Sequence, residues 1–342
     1  MRAEKHILVT GGCGYVGSIL VPKLAREYRV TLIDSMMFGN HLQGVQNVTT
    51  VKGDIRDYTL MRSLLSSCTD VIHLASIAND PCSELDTAMT QSVNRDAAEH
   101  LVRAAREQGV QRFINASSSA VYGVKEEESV TEDLPLAPLT LYARLKAETE
   151  KIVASAAGRD FVTVSIRSAT VCGVSPRMRF DVIVNMMAKM AIAGGAITVY
   201  GGDQYRPNIH IQDITDLYLF LLEIPAEKMN GRVFNAGAKN HTVLEIAQMA
   251  QEEAGGIIYL DSQVTDNRSY RISSGLIRRE LGWEPRRTIR DAIKDIKRAF
   301  DEGLFPNPDD DAYYNIRTMK ALQVEGYAPG FRSGATLRET GS

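Results

Sequence analysis

Apolar positions in the first half of the chain follow two alternating spacings, and each spacing predicts a different kind of element. Short β-branched apolar runs bounded by turn residues predict buried strands, and they fall at residues 6–10, 29–33, 48–51, 71–74, 112–116 and 162–167. Between these runs, apolar residues at helical spacing predict amphipathic helices at 18–27, 59–66, 92–108 and 142–157. Repeated alternation of strand and helix is typical of an α/β fold built on a doubly wound parallel sheet.

The regular alternation loosens after residue 168. Helices are predicted at 182–193, 214–222 and 243–254, with short strands at 197–200 and 208–211. The pattern divides the chain into a first domain at 1–170, a smaller C-terminal α/β domain mainly at 171–305 and a tail at 306–342. No clean linker separates the two domains, so we expect them to pack against each other. Roughly the last dozen residues are expected to be poorly ordered.

Composition indicates a soluble globular protein. Lys and Arg number 39 against 42 Asp and Glu, a formal net charge of −3, which argues against a nucleic-acid partner because that needs a basic surface. No apolar run approaches the roughly 18 residues of a membrane span, and the N-terminal apolar run is too short for a secretory signal. The four scattered cysteines lack metal-ligand spacing, so they predict no metal site and suit buried thiols in a reducing cytoplasm, at Cys13, Cys68, Cys82 and Cys172.

A glycine-rich turn follows the first predicted strand and opens the first predicted helix. Gly12, Gly14 and Gly17 fit G-x-G-x-x-G, and Gly11 with Gly14 and Gly17 fits G-x-x-G-x-x-G. Such glycines permit a tight turn and let the backbone approach a pyrophosphate, while the helix N-terminus offers N–H groups to the anion. Because a strand precedes the turn and a helix follows it, the pattern predicts a Rossmann-type dinucleotide site.

Asp34 indicates which dinucleotide is bound. It closes the second predicted strand, 20 residues beyond Gly14, where a carboxylate accepts hydrogen bonds from the adenosine ribose. Ser35 and Met36 follow it rather than an arginine, so a 2′-phosphate would meet repulsion. The sequence therefore predicts NAD rather than NADP as the cofactor.

Tyr142 and Lys146 are placed one turn apart on a predicted helix. A tyrosine with a pKa near 10 is a poor base at neutral pH, and a nearby ammonium favours its phenolate form. Three serines, at 117–119, follow the predicted strand 112–116. A solvated helix face often carries Tyr and Lys four residues apart, and a turn often carries several serines. Each pattern therefore indicates a catalytic site only because it accompanies the dinucleotide turn.

This combination resembles the extended short-chain dehydrogenase/reductases, specifically their nucleotide-sugar epimerase/dehydratase branch, over roughly residues 6–300. The motifs that carry the resemblance recur in order at 11–17, 53–57, 73–76, 94, 117–123, 142–146, 167–173 and 206–213. They are specific for the branch and much less specific for the substrate. The resemblance implies a Rossmann-type sheet with a smaller C-terminal α/β substrate-binding domain.

The resemblance also implies roles for particular residues. The catalytic set is Ser118, Tyr142 and Lys146, with Tyr142 as general base and Ser118 bonded to the reacting sugar oxygen. The residues implied to bind NAD are Gly11, Gly14, Tyr15, Val16, Gly17, Asp34, Asp54, Ile55, Leu74, Ala75, Ser76, Asn94, Tyr142 and Lys146. Those implied to contact a nucleotide-diphosphate sugar are Ser118, Ser119, Thr170, Asn185, Arg206 and Arg268. Many members are homodimers, and the helices at 92–108 and 142–157 are candidate interface faces that the protein's own sheet could equally cover.

The chain departs from the family in two motifs. Dehydratases commonly carry Thr-Asp-Glu where this chain has Ser118, Ser119 and Ala120, and many 4-epimerases carry asparagine in place of Thr170. Two stretches, 79–82 and 175–181, resemble a subgroup with few assigned activities. The sequence favours an NAD-dependent nucleotide-sugar 4-epimerase. A nucleotide-sugar C4 dehydrogenase, ketoreductase or dehydratase is the alternative, and a non-catalytic NAD-binding sensor is a remote one, since fold does not fix function.

Overall fold

The computed structural model describes residues 5–261 and 269–324. Its strands are β1 (His6–Thr10), β2 (Arg29–Asp34), β3 (Val48–Lys52), β4 (Asp70–His73), β5 (Arg112–Ser118), β6 (Val162–Ser168), β7 (Thr170–Cys172), β8 (Ala196–Tyr200), β9 (Tyr205–Arg206), β10 (Asn208–His210), β11 (Arg232–Ala236), β12 (His241–Thr242) and β13 (Ile257–Asp261). Its α-helices are α1 (Gly17–Leu24), α2 (Tyr58–Leu65), α3 (Asp80–Ser83), α4 (Thr87–Gln91), α5 (Ala97–Glu107), α6 (Leu141–Ser155), α7 (Ile183–Ile192), α8 (Ile211–Leu221), α9 (Ala226–Met229), α10 (Val243–Ala254), α11 (Gly275–Leu281), α12 (Ile289–Asp301) and α13 (Asn315–Val324).

Seven strands form one parallel sheet in the order β11-β6-β5-β4-β1-β2-β3. The order runs outward in both directions from β1, which pairs with β2 on one side and β4 on the other. In such a doubly wound sheet, ligands bind at the carboxyl ends of the strands beside this reversal point. The predicted Rossmann-type fold is confirmed.

Successive residues of β1 face opposite sides of the sheet, and a hydrophobic core lies on each side. Ile7 and Val9 pack in the core that also contains Leu20 of α1 and Leu217 of α8. Leu8 packs in the core that contains residues of α2 and α5. Because both faces are covered, every residue of β1 is buried, and the strand reads as a continuous apolar run rather than an alternating one.

Two features of the sheet differ from the sequence pattern. The edge strand β11 comes from the second half of the chain, where no strand was predicted at 232–236, and it pairs in parallel with β6. β5 continues through Ser118, two residues beyond the predicted strand end, because Ser117 and Ser118 pair with Arg167 and Ser168 of β6. This extension carries Ser118 to the carboxyl edge of the sheet.

A further core packs beside the large sheet, built from α7, α10 and α12 around Met187, Ile246 and Ile293. The paired strands β8 and β13 lie with it. Among the described residues, none of the helices is both long enough and apolar enough to cross a membrane. All four cysteines are buried and unpaired.

The described part of the tail contains α13, which packs against α3 and the loop before it. Its Met319 is 4% exposed and joins Ile77 and Cys82 in a small apolar cluster. The stretch predicted to be poorly ordered lies outside the described residues.

Candidate active site

A cavity of about 820 Å³ opens where the parallel strands end. Its lining comes from the glycine turn after β1 and from the carboxyl ends of β2, β4, β5 and β6, together with parts of the second half of the chain. The predicted cofactor residues that line it are Gly11, Gly14, Tyr15, Val16, Gly17, Asp34, Asp54, Ile55, Leu74, Ala75, Ser76, Tyr142 and Lys146. The predicted substrate residues that line it are Ser118, Ser119, Thr170 and Arg206. Arg268 lies outside the described residues.

The glycine turn fits a dinucleotide because its glycines leave no room for side chains. Gly11 has φ +72°, and a Cβ there would lie 2.7 Å from Cα of Ala75. A Cβ on Gly17 would lie 2.5 Å from the backbone oxygen of Gly12. Helix α1 begins at Gly17 without a side-chain cap, as expected where a bound anion takes the place of the cap. The turn therefore fits the pyrophosphate of NAD.

Asp34 is held by the backbone at the end of β2. Its carboxylate accepts hydrogen bonds from the N–H of Cys13 at 3.0 Å and of Met36 at 2.7 Å. Burial raises the pKa of Asp34, and these two hydrogen bonds oppose the increase. The next predicted acid, Asp54, forms an ion pair with Arg56 at 2.5 Å. Both carboxylates lie on the cavity wall where the adenosine half of the cofactor is expected.

Asn94 positions the cavity floor rather than lining it. Its Oδ1 accepts a hydrogen bond from the N–H of Ile77 at 2.7 Å, and its Nδ2 donates to the backbone oxygen of Ile77 at 3.0 Å. These bonds fix the loop that continues from Leu74 to Ser76 after β4. The motif position of Asn94 is thus explained by a contact with the loop under the cofactor site.

The structure brings Ser118, Tyr142 and Lys146 together between β5 and α6. Ser118 ends β5, and its side chain is close enough to the Tyr142 hydroxyl to lower the pKa of Tyr142. Lys146 donates to the backbone oxygen of Ala116 at 2.7 Å, and its Nζ lies 5.8 Å from the centre of the Tyr142 ring. The hydroxyl of Thr140 caps the start of α6, two residues before Tyr142. The predicted catalytic residues therefore share one wall of the cavity.

Burial dominates the electrostatics of this group. It raises the pKa of Tyr142 to about 12, although the hydrogen bond with Ser118 and the charge of Arg179 oppose the rise. It lowers the pKa of Lys146 to about 8, and the charge of Glu150 opposes that change. From the sequence we expected the ammonium to bring the pKa of Tyr142 down. In the structure the pKa is instead raised, because burial of the phenolate is the largest influence on it and the charge of Asp80 adds to the rise. Tyr142 is therefore a neutral phenol in the protein without ligand.

Behind the catalytic wall lies a buried ion pair. Arg167 at the end of β6 meets Glu150 of α6 at 2.8 Å, and the two side chains are 7% and 4% exposed. Ser117 also donates to Glu150, while Arg167 donates to the Tyr122 hydroxyl at 2.8 Å. This network ties the ends of β5 and β6 to α6 and so fixes the strand and helix that carry Ser118 and Tyr142.

Some of the predicted substrate residues line the cavity, whereas Asn185 does not. Ser119 lies 3.2 Å from the hydroxyl of Tyr270 across the cavity wall, and Arg206 donates to the backbone oxygen of Tyr205 at 3.0 Å. Asn185 is fully buried and does not line the cavity. Its amide accepts from the N–H of Gly173 at 2.9 Å and donates to the Tyr15 hydroxyl at 2.9 Å. The structure therefore uses the side chain of Asn185 to join α7 to the glycine turn.

The stretches 79–82 and 175–181 meet at the cavity wall. Nδ2 of Asn79 lies 3.4 Å from Oδ2 of Asp181, and Asp181 also pairs with Nε of Arg179 at 2.8 Å. The backbone N–H of Asn315 in α13 donates to the same carboxylate at 3.1 Å. Sequence reasoning gave none of these residues a role. The sole signal was that both stretches resemble the same subgroup.

The cavity combines a glycine turn after the first strand, an acid at the end of the second strand and a Ser/Tyr/Lys group. This combination defines a dinucleotide-dependent α/β enzyme. The sequence profile of the NAD dependent epimerase/dehydratase family matches residues 7–237. The chain belongs to this family, and NAD is its cofactor.

Relatives with different activities match over most of the chain. A UDP-glucose 4-epimerase of Lactobacillus helveticus is 28% identical over 308 residues, which cover 82% of this chain and 92% of the relative. A dTDP-glucose 4,6-dehydratase of Streptomyces griseus is 26% identical over 306 residues, covering 84% and 92%. The solved UDP-glucose 4-epimerase of Thermotoga maritima with UDP-glucose superposes with a TM-score of 0.79 at 24% identity, covering 87% of this chain and 99% of that chain. The last comparison concerns the fold.

Proposed function

We propose that the protein is a nucleotide-sugar 4-epimerase that oxidises the sugar transiently at C4. The observation that carries the proposal is the Ser118, Tyr142 and Lys146 group on the wall of the NAD cavity. It supplies a base and a hydroxyl for removing hydrogen from a secondary alcohol. None of residues 118–120 carries a carboxylate, whereas dehydratases commonly have there the acids that eliminate water.

Tyr142 acts as the general base and takes the proton of the C4 hydroxyl, while Ser118 hydrogen-bonds to the same oxygen. NAD, when bound, supplies the hydride acceptor and a positively charged ring that favours a nearby phenolate. Lys146 adds a positive charge 5.8 Å from the Tyr142 ring centre. After the keto sugar turns over, Tyr142 returns the proton to the C4 oxygen, and NAD, when bound, would supply the hydride to the opposite face of C4. Proton and hydride are both restored, so the product is an isomer and no cofactor is consumed.

Rotation of the keto sugar within the cavity requires tight binding of the diphosphate and weak binding of the sugar. Arg206 lines the cavity and supplies the fork of N–H groups that suits phosphate oxygens. Thr170 and Ser119 line the same cavity with short hydroxyl side chains, which would bind the sugar weakly. A cytoplasmic location and a homodimer remain predictions. In the structure, apolar residues of α5, including Leu101 and Val102, pack in the protein's own core.

The test is to incubate the purified protein with a panel of UDP-, dTDP-, GDP- and CDP-sugars without added NAD. Products are separated by chromatography and identified by mass spectrometry. An isomer of unchanged mass supports the proposal. A product that forms only when NAD is added and has lost two hydrogens contradicts it and indicates a dehydrogenase.

A 4,6-dehydratase is the second candidate, favoured by one observation. Asp80 lines the cavity, and its negative charge raises the pKa of Tyr142, so a carboxylate is present near the base although 118–120 carry none. A product that has lost water would favour this reading. The Asp80→Asn variant should then lose dehydration, whereas an epimerase with this substitution should keep its product.

A further inference from the structure

Arg177 is a buried cation whose hydrogen-bond partners, among the described residues, are uncharged. The residue is 3% exposed. Its Nη2 donates to Oδ1 of Asn315 at 2.6 Å and its Nη1 to the backbone oxygen of Met178 at 3.5 Å. Within the described residues its buried Nε has no hydrogen-bond partner. Burial and the charge of Arg179 lower the pKa of Arg177 to about 10, and the nearby charge of Asp181 opposes this change. The guanidinium is therefore still charged at neutral pH.

The position of Arg177 relates it to the cofactor cavity, which it lines. Its backbone N–H lies 3.4 Å from Oγ of Ser18, the second residue of α1. Its guanidinium carbon lies 4.1 Å from the centre of the Phe38 ring, and its charge acts on Asp34. The side chain is therefore beside both the helix start that fits a pyrophosphate and the carboxylate that ends β2.

A buried charge is strongly destabilising unless opposite charge and hydrogen-bond acceptors meet it. Asp34 and Asp181 supply nearby negative charge, but the buried Nε of Arg177 still has no acceptor among the described residues. A guanidinium matches phosphate oxygens in charge and geometry. Phosphate is also the anion for which the glycine turn and the uncapped start of α1 are suited. We propose that Arg177 binds the phosphate groups of NAD, and that Asn315 of α13 positions it for that contact.

Helix α13 completes the cofactor site from a part of the chain beyond the family match. The side chain of Asn315 holds Arg177, and its backbone N–H donates to Asp181 at 3.1 Å. Ile316 lines the cavity, and Met319 packs against Ile77 beneath it. This role of the C-terminal helix concerns cofactor binding alone and holds for whichever reaction of the family the enzyme catalyses.

The test measures ligand binding by calorimetry for the full chain freed of cofactor, with NAD, ADP-ribose, adenosine and UDP as probes. Arg177→Gln should weaken NAD and ADP-ribose binding about 10- to 100-fold, because a charge-assisted hydrogen bond is lost, and should leave adenosine and UDP unchanged. Arg177→Lys should keep part of the affinity, and Asn315→Ala should weaken NAD with UDP unchanged. Arg103→Gln, on the exposed face of α5, is the matched control.

Thermal unfolding separates binding from a structural role. Removing a buried charge should leave the melting temperature of the cofactor-free Arg177→Gln protein unchanged or higher, and the increase caused by NAD should shrink. Unchanged NAD affinity with a lower melting temperature would assign Arg177 to structure and overturn the proposal. Loss of UDP binding with NAD binding retained would assign it to the substrate diphosphate and also overturn it.

Discussion

Lys146 donates its hydrogen bond to the backbone oxygen of Ala116 at 2.7 Å. The bond joins α6, which carries Tyr142, to β5, which ends at Ser118. One buried cation therefore fixes the helix and the strand whose hydroxyl groups meet in the cavity, and it does so while lying 5.8 Å from the Tyr142 ring centre.

Replacing Tyr142 with phenylalanine removes the proposed base and leaves the ring. We expect kcat to fall by about 10²- to 10⁴-fold, the usual contribution of a positioned acid–base group, with NAD affinity within about twofold of wild type, since a hydroxyl is the sole loss. Product formation and NAD titration check the two parts. If Tyr142→Phe kept wild-type kcat, the assignment of the base would be wrong.

Lys146 makes stability depend on pH. Its pKa is lowered from 10.5 to about 8 by burial, so above pH 8 the unfolded chain binds more protons than the folded protein. The charged form therefore opposes folding below pH 8, and this penalty disappears as the pH rises from about 8 to 10.5. Lys146→Met should raise the unfolding free energy at neutral pH by on the order of 1–3 kcal/mol and abolish activity.

Urea unfolding near neutral pH and at about pH 9.5 measures this effect, since the gain should shrink at the higher pH. Lys151→Met, at an exposed position of the same helix, is the control and should show no pH-dependent difference. A Lys146→Met protein less stable than wild type near neutral pH would contradict the expectation.

Gly11 and Gly109 separate backbone strain from loss of the cofactor turn. Both have positive φ, +72° and +78°, but a Cβ on Gly11 would lie 2.7 Å from Ala75, whereas nothing lies within 4 Å of one on Gly109. Each alanine substitution should cost about 1–3 kcal/mol through strain. Only Gly11→Ala must also displace the loop, so it should weaken NAD binding more than about 10-fold. Equal NAD affinities in the two variants would count against the turn as the dinucleotide site.

Removing one partner of the Arg167–Glu150 ion pair should lower the unfolding free energy. Arg167→Met leaves the Glu150 carboxylate, 4% exposed, without its counter-charge, and we expect a loss of about 3–5 kcal/mol of unfolding free energy. The double variant with Glu150→Leu removes the stranded charge and should recover part of that loss. Denaturant unfolding measures the unfolding free energy of both variants. If the double variant is no more stable than Arg167→Met, the broken ion pair is not the source of the lost stability.

The sequence pattern predicts the sheet and the cofactor turn because both depend on local order. Buried parallel strands are continuous apolar runs, and the turn has its strand before it and its helix after it. β11 escapes prediction because its short run, 232–236, joins the sheet at an edge opposite residues about 70 positions earlier, and such pairing leaves no local signature.

Whether a side chain faces the cavity cannot be read from its motif position. Asn94 occupies a motif position, and the resemblance assigns Asn185 to the substrate. Neither side chain lines the cavity, because their amides bond to other protein groups, among them the backbone of Ile77 and of Gly173. The contact of Arg177 with Asn315 spans 138 residues of chain, so spacing gives no hint of it. The raised pKa of Tyr142 is likewise a product of burial, which follows from tertiary packing.

Transient oxidation at C4 can be followed through the hydrogen on that carbon. The nucleotide sugar selected by the panel, deuterated at C4, is incubated with the enzyme without added NAD, and the product is analysed by mass spectrometry and NMR. The account predicts an isomer of equal mass with inverted C4 configuration and deuterium still on C4. Deuterium on another carbon with loss of water, or released on reduced cofactor, would contradict it.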